Sequence, residues 1–138
     1  MDETGTSGRV LHVDDNDEFA ALTAEYLERV SDHLAVETAT SANEALDRLD
    51  AASFDCVVSD YDMPGMDGLA LLETVREAHP DLPFILFTST GSEAIASEAI
   101  ARGVTDYLQK GVETEAFELL ANRVEHAIEQ YRATRRAA

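Results

Sequence analysis

Apolar and polar positions follow one another along the chain in two rhythms. Short runs rich in Val, Leu, Ile and Phe, at Arg9–Val13, Leu34–Ala39, Asp55–Ser59, Phe84–Thr88 and Thr105–Leu108, predict strands. Longer amphipathic segments between them predict helices at about Asp17–Val30, Ala42–Ala51, Leu69–His79, Ser92–Arg102 and Glu113 to near Arg132. Several of these segments are punctuated as helices should be. Ser41 precedes Ala42 with Glu44 three residues on, and Thr114 precedes the run containing Phe117. Pro80 and Pro83 close the third helix, and Gly103 stands just past the fourth. Strict alternation of strand and helix predicts right-handed crossovers and a parallel sheet covered on both faces, the α/β class. In such sheets sites form beyond the carboxyl ends of the strands. The residues predicted there are Asp14-Asp15, Asp60, Thr88-Ser89 and Lys110, all polar.

The 138 residues, 45% of them hydrophobic, suit one domain with a real core. No apolar run is long enough to span a membrane, and the acidic start Met1–Gly8 lacks the basic and apolar regions of a signal peptide, so a cytoplasmic location is expected. Cys56, the sole cysteine, lies beside Val57 and Val58 and reads as a buried thiol. The formal net charge of -18 argues against direct nucleic-acid or anionic-membrane binding, because both need positive potential. Lys110 is the only lysine. A surface this acidic and lysine-poor resembles a halophile's, where dense carboxylates hold water and counterions; a surface shaped by an acidic partner is the alternative.

The stretch Val57-Val58-Ser59-Asp60-Tyr61-Asp62-Met63-Pro64-Gly65-Met66-Asp67-Gly68 could be a metal loop, a phosphate-accepting carboxylate or a polar turn. An EF-hand loop starting at Asp60 would place Pro64 fifth and Leu71 twelfth, where a bidentate Glu belongs, so that reading fails. Together, Asp14, Asp15, Asp60, Thr88 and Lys110 resemble the signature of the response regulator receiver domains of two-component systems, over roughly Arg9 to Ala127. The resemblance implies a doubly wound (βα)5 three-layer sandwich, flavodoxin/CheY-like, with strand order 2-1-3-4-5. It implies that Asp60 accepts a phosphoryl group and that Asp14, Asp15, Asp60 and the backbone carbonyl of Asp62 hold Mg²⁺ (or Mn²⁺). Thr88 and Lys110 would attend the transferred group, and Thr88 with Tyr107 would form a switch altering the face of the fourth helix, fifth strand and fifth helix.

Charge supports this constellation. Three converging carboxylates repel one another, and one divalent ion with one ammonium cancels them, so an incoming phosphoryl dianion meets a neutral site. The implied partners are a sensor histidine kinase or phosphotransfer protein and an output protein or domain, with no direct nucleic-acid or membrane contact. A homodimer through the fourth helix, fifth strand and fifth helix is a further implication. The implied activity is that of a signalling module supporting its own phosphotransfer and autodephosphorylation, rather than an enzyme with turnover. A haloacid dehalogenase-type phosphatase also uses an aspartyl phosphate, but it leaves the acid pair after the first strand unexplained. A receiver within a larger hybrid sensor kinase is a second alternative, and Leu119–Arg123 and Tyr107–Gly111 resemble receivers that precede sensor or kinase modules in haloarchaea. The complete acid, Thr and Lys set argues against a degenerate receiver that binds partners without phosphorylation.

Receivers generally carry a proline after the lysine, whereas this chain has Gly111. The turn after the fifth strand is therefore expected to be less rigid. Asp62 and Thr90 flank the site where receivers vary, and influence the lifetime of the acyl phosphate. Residues 1–8 are expected to form a flexible tail, 9–131 the receiver, and 132–138 a helix end or tail too short to fold alone as a DNA-binding domain.

Overall fold

A computed structural model describes residues 8–89, 91–111 and 114–137, without the side chains of 114, 136 and 137. The expectations for Thr90, Glu113, a Thr114 cap and residues 1–7 lie outside this description. The elements run β1 (Gly8–Val13), α1 (Asp17–Val30), β2 (Leu34–Ala39), α2 (Ala42–Ala51), β3 (Cys56–Ser59), α3 (Gly68–Ala78), β4 (Phe84–Thr88), α4 (Glu93–Ala101), β5 (Asp106–Gln109) and α5 (Thr114–Ala137). All neighbouring strands pair in parallel, in the order β2-β1-β3-β4-β5. The expected α/β fold and strand order are both present.

The two-residue period of the strands divides the core between two layers. Leu11, Val13, Val57, Phe84 and Leu86 pack with α2, α3 and α4 residues such as Ala45, Leu72 and Ala99. Val10, Val58, Ile85 and Phe87 pack with Leu27 of α1 and Leu120 and Val124 of α5. Central strands β3 and β4 are buried on both faces, which is why they read as unbroken apolar runs.

Side chains punctuate the helices by satisfying amides that have no intrahelical partner. Asn16, Ser41, Asp67 and Ser92 accept from the amides of Phe19, Glu44, Ala70 and Ile95. Glu44 reaches back to the Thr40 amide at 2.8 Å, one residue before the cap. Gly103 takes φ +92 just after α4, a conformation that side chains with a β-carbon rarely adopt.

Several ends differ from the predicted ones. β3 starts at Cys56, and just before it the Asp55 carboxylate accepts the Arg9 amide at 2.8 Å. β5 is shifted one residue later, and the Thr105 hydroxyl accepts the Phe84 amide at 3.0 Å. α5 continues past Arg132 to Ala137, and Arg132 pairs with Asp55 at 3.4 Å. Among the described residues, no helix is long and apolar enough to cross a membrane.

Candidate phosphoacceptor site

The strand ladders extend one residue beyond the strands and fix the site. Asp14 donates its amide to Ala39 at 3.0 Å, Asp60 to Val13 at 2.9 Å, and Lys110 to Thr88 at 2.9 Å. Each bond sets a polar residue level with its neighbour at the carboxyl edge of the sheet. Asp14, Asp15 and Asp60 consequently offer carboxylate oxygens within 4.8 Å of one another. Lys110 reaches them from the far side, with Nζ 2.7 Å from Asp14 and 3.5 Å from Asp60.

Burial makes these charges consequential. The side chains of Asp14, Asp60 and Lys110 are only 1%, 9% and 13% exposed, whereas Asp15 faces solvent. Burial pushes the Asp60 carboxyl above its ordinary pKa, and nearby Asp14 adds to that. The Lys110 ammonium, a hydrogen bond from Thr88 and the Tyr61 amide at 2.8 Å pull in the opposite direction. The cluster thus holds crowded hard oxygen donors, partly neutralised by one cation. Such a donor set fits Mg²⁺ or Mn²⁺, which take carboxylate oxygens while retaining waters.

Thr88 is fully buried at the end of β4. Tyr107 pairs with Leu86 in register, so by the two-residue period it shares a sheet face with Thr88. Its ring packs against the layer containing Leu86 and Ala99, and its buried hydroxyl finds no hydrogen-bond partner among the described residues. Asp62 follows two residues after Asp60 with an exposed side chain, and Gly111 is exposed directly after Lys110.

Three residues were not singled out by the sequence. Gly68 donates to the Tyr61 carbonyl at 2.8 Å, and a β-carbon there would strike the Asp60 carbonyl oxygen. His12, one residue before Val13, is fully buried; burial lowers its pKa to about 4 against the opposing pull of Asp14 and of the Ala20 backbone, so it is neutral at pH 7. Phe19 in the first turn of α1 lies beneath the Lys110 ammonium. An aromatic residue five positions after Asp14 was the available signal for Phe19; the other two depend on how loops and layers close.

A doubly wound sheet of this order, with acids, hydroxyl and lysine gathered at its carboxyl edge, defines a flavodoxin-like α/β signalling-domain fold. The chain belongs to the response regulator receiver domain family, which it matches over residues 10–122. It is 41% identical over 98 residues to the DNA-binding transcriptional regulator NtrC of Klebsiella pneumoniae, covering 70% of this chain and 21% of that one. It is 36% identical over 132 residues to the C4-dicarboxylate transport transcriptional regulatory protein DctD of Rhizobium meliloti, covering 94% of this chain and 28% of that one. The chain therefore spans about a quarter of the length of these curated relatives. Among solved structures, chemotaxis protein CheY4 of Vibrio cholerae is 30% identical with a TM-score of 0.78, covering 86% of this chain and 98% of that one. The domain is a phosphorylation-activated switch of two-component signalling, and neither the phosphatase nor the hybrid-kinase reading is favoured.

Proposed function

We propose that Asp60 accepts a phosphoryl group from the phosphohistidine of a sensor kinase or phosphotransfer protein. The donor's P–N bond breaks as a bond forms from an Asp60 carboxylate oxygen to phosphorus, giving an acyl phosphate. The observation carrying this reading is the meeting of Asp14, Asp15 and Asp60 with the chain's sole lysine. Asp14, Asp15, Asp60 and the Asp62 carbonyl would hold Mg²⁺ or Mn²⁺, which supplies positive charge to the transferred oxygens when bound. Lys110 stabilises charge on the same oxygens, and the Thr88 hydroxyl donates to one of them in the product. Drawing Thr88 toward the phosphoryl group opens space on the face it shares with Tyr107. The phosphorylated state thereby favours a different arrangement of α4, β5 and α5.

In this reading the domain acts in the cytoplasm, without direct nucleic-acid or membrane contact. It is a signalling module that supports its own phosphotransfer and autodephosphorylation, and passes its state to an output protein or domain through the α4-β5-α5 face. A homodimer through that face would be one form of output. Residues 9–131 constitute the working receiver. Incubation with Mg²⁺ and a small phosphodonor, followed by intact mass, is expected to show one acid- and base-labile phosphoryl adduct, absent from Asp60→Asn. Equal labelling of both chains would overturn the assignment, as would sustained hydrolysis of phosphomonoesters.

A further inference from the structure

We propose that Phe19 is a positioning residue for Lys110, its ring face seating the ammonium at the carboxylate cluster. The inference rests on the phosphotransfer reading of Asp60 and Lys110. Lys110 Nζ stands 4.3 Å from the Phe19 ring centroid while contacting Asp14 at 2.7 Å. An aromatic face carries negative potential and attracts an ammonium, most strongly where water is largely kept away. That condition holds here, since the Lys110 side chain is 13% exposed. Carboxylates alone would pull the ammonium in one general direction; the ring adds a second boundary that defines its position.

The surroundings of Phe19 fix the ring itself. Side chains in a helix point back toward its N-terminus, so a ring in the first turn of α1 covers the loop that carries the acids. Asn16 locks that turn: its side chain accepts the Phe19 amide at 3.0 Å, and its own amide donates to Asp14 at 2.9 Å. The ring is braced by Phe117 at 5.7 Å, Phe87 at 6.1 Å and His12 at 6.4 Å between centroids. Phe19, the acids and the lysine are therefore tied into one unit. Gly111 has no β-carbon to narrow the backbone choices after Lys110, so the seat at the side-chain end adds a restraint of its own.

Because Lys110 is the only lysine, ¹³C-lysine labelling of the full chain gives a single lysine spin system. Protons held over a ring face shift upfield. The Lys110 ε-protons are expected upfield of their free-lysine position in the wild-type chain and in Phe19→Tyr, and near it in Phe19→Leu. Mg²⁺-dependent phosphorylation by the small phosphodonor is expected to slow about 3- to 30-fold in Phe19→Leu and to stay near wild type in Phe19→Tyr. All three chains are compared below their thermal transitions. A wild-type resonance with no upfield shift overturns the role, as does an unchanged rate in Phe19→Leu. Equal slowing in both variants also overturns it, because it would point to packing rather than to the ring face. No labelling of the wild-type chain would remove the Asp60 reading and this role together, whereas normal labelling with no upfield shift removes the Phe19 role alone.

Discussion

Gly68 shows how much of the site depends on one missing methyl group. A β-carbon there would overlap the Asp60 carbonyl oxygen and lie 2.9 Å from both Leu86 Cδ1 and Tyr61 Cα. Two of these three atoms belong to backbone beside the phosphoacceptor, and backbone cannot swing aside as a long side chain does. Gly68→Ala is expected to destabilise the domain by about 2–4 kcal/mol and to slow Asp60 phosphorylation by tenfold or more. Denaturant unfolding and initial labelling rates check the two effects; wild-type values for both would mean that α3 retreats freely. The sequence exposed Asp14, Asp15, Asp60, Thr88 and Lys110 because strand period and strand order alone carry them to one edge. It did not expose Gly68, whose constraint comes from a helix entering against a loop nine residues from Ser59. His12 was equally hidden, since a polar ring inside an apolar strand becomes visible only when both covering layers are known.

At the scale of elements, one side chain on α3 bridges the turns that enter β4 and β5. Arg76, near the end of α3, donates to the carbonyls of Gly103 at 2.9 Å, His79 at 3.0 Å and Leu82 at 2.7 Å. It therefore ties the turn entering β4 to the turn entering β5. The guanidinium is half-buried, and that burial pulls its pKa below the ordinary value. Arg76→Ala leaves three acceptors without that donor and is expected to destabilise by about 2–4 kcal/mol, while the distant Asp60 keeps most of its phosphorylation rate below the lowered transition. Thermal melts paired with labelling rates test this; a stability change under ~0.5 kcal/mol would show that water replaces the arginine. Element ends were the least legible feature for a related reason. Asp55 and Thr105 read as strand residues from their neighbours, yet each spends its side chain on a backbone amide across the sheet. The start of α2 was clearer, because Ser41 does its capping within its own segment.

For the whole molecule, charge is the dominant feature that the fold leaves unbalanced. The ten Lys and Arg residues face 28 Asp and Glu. Several cations are already committed: Arg9 and Arg48 bind Glu37, Arg102 lies near Glu73 and Glu98, Arg123 binds Asp106, and Lys110 serves the site. Salt weakens those pairs and also screens repulsion among the surplus carboxylates, so the two effects oppose each other. Exposed pairs contribute about 0–1 kcal/mol each, whereas the net charge of -18 repels itself throughout the folded surface. Repulsion should therefore dominate. Raising KCl from ~0.1 to ~1 M shortens the Debye length from about 10 to about 3 Å, a distance below most carboxylate separations. The Mg²⁺-free domain is expected to gain at least ~5 °C in Tm across this range. Sucrose, an excluded solute that leaves charge interactions unscreened, provides the comparison, because it stabilises the compact state by exclusion from the protein surface alone. A Tm that stays level or falls with KCl would mean that the ion pairs outweigh the repulsion. A rise matched by sucrose would assign the gain to solute exclusion, and a rise specific to KCl would assign it to the acidic surface.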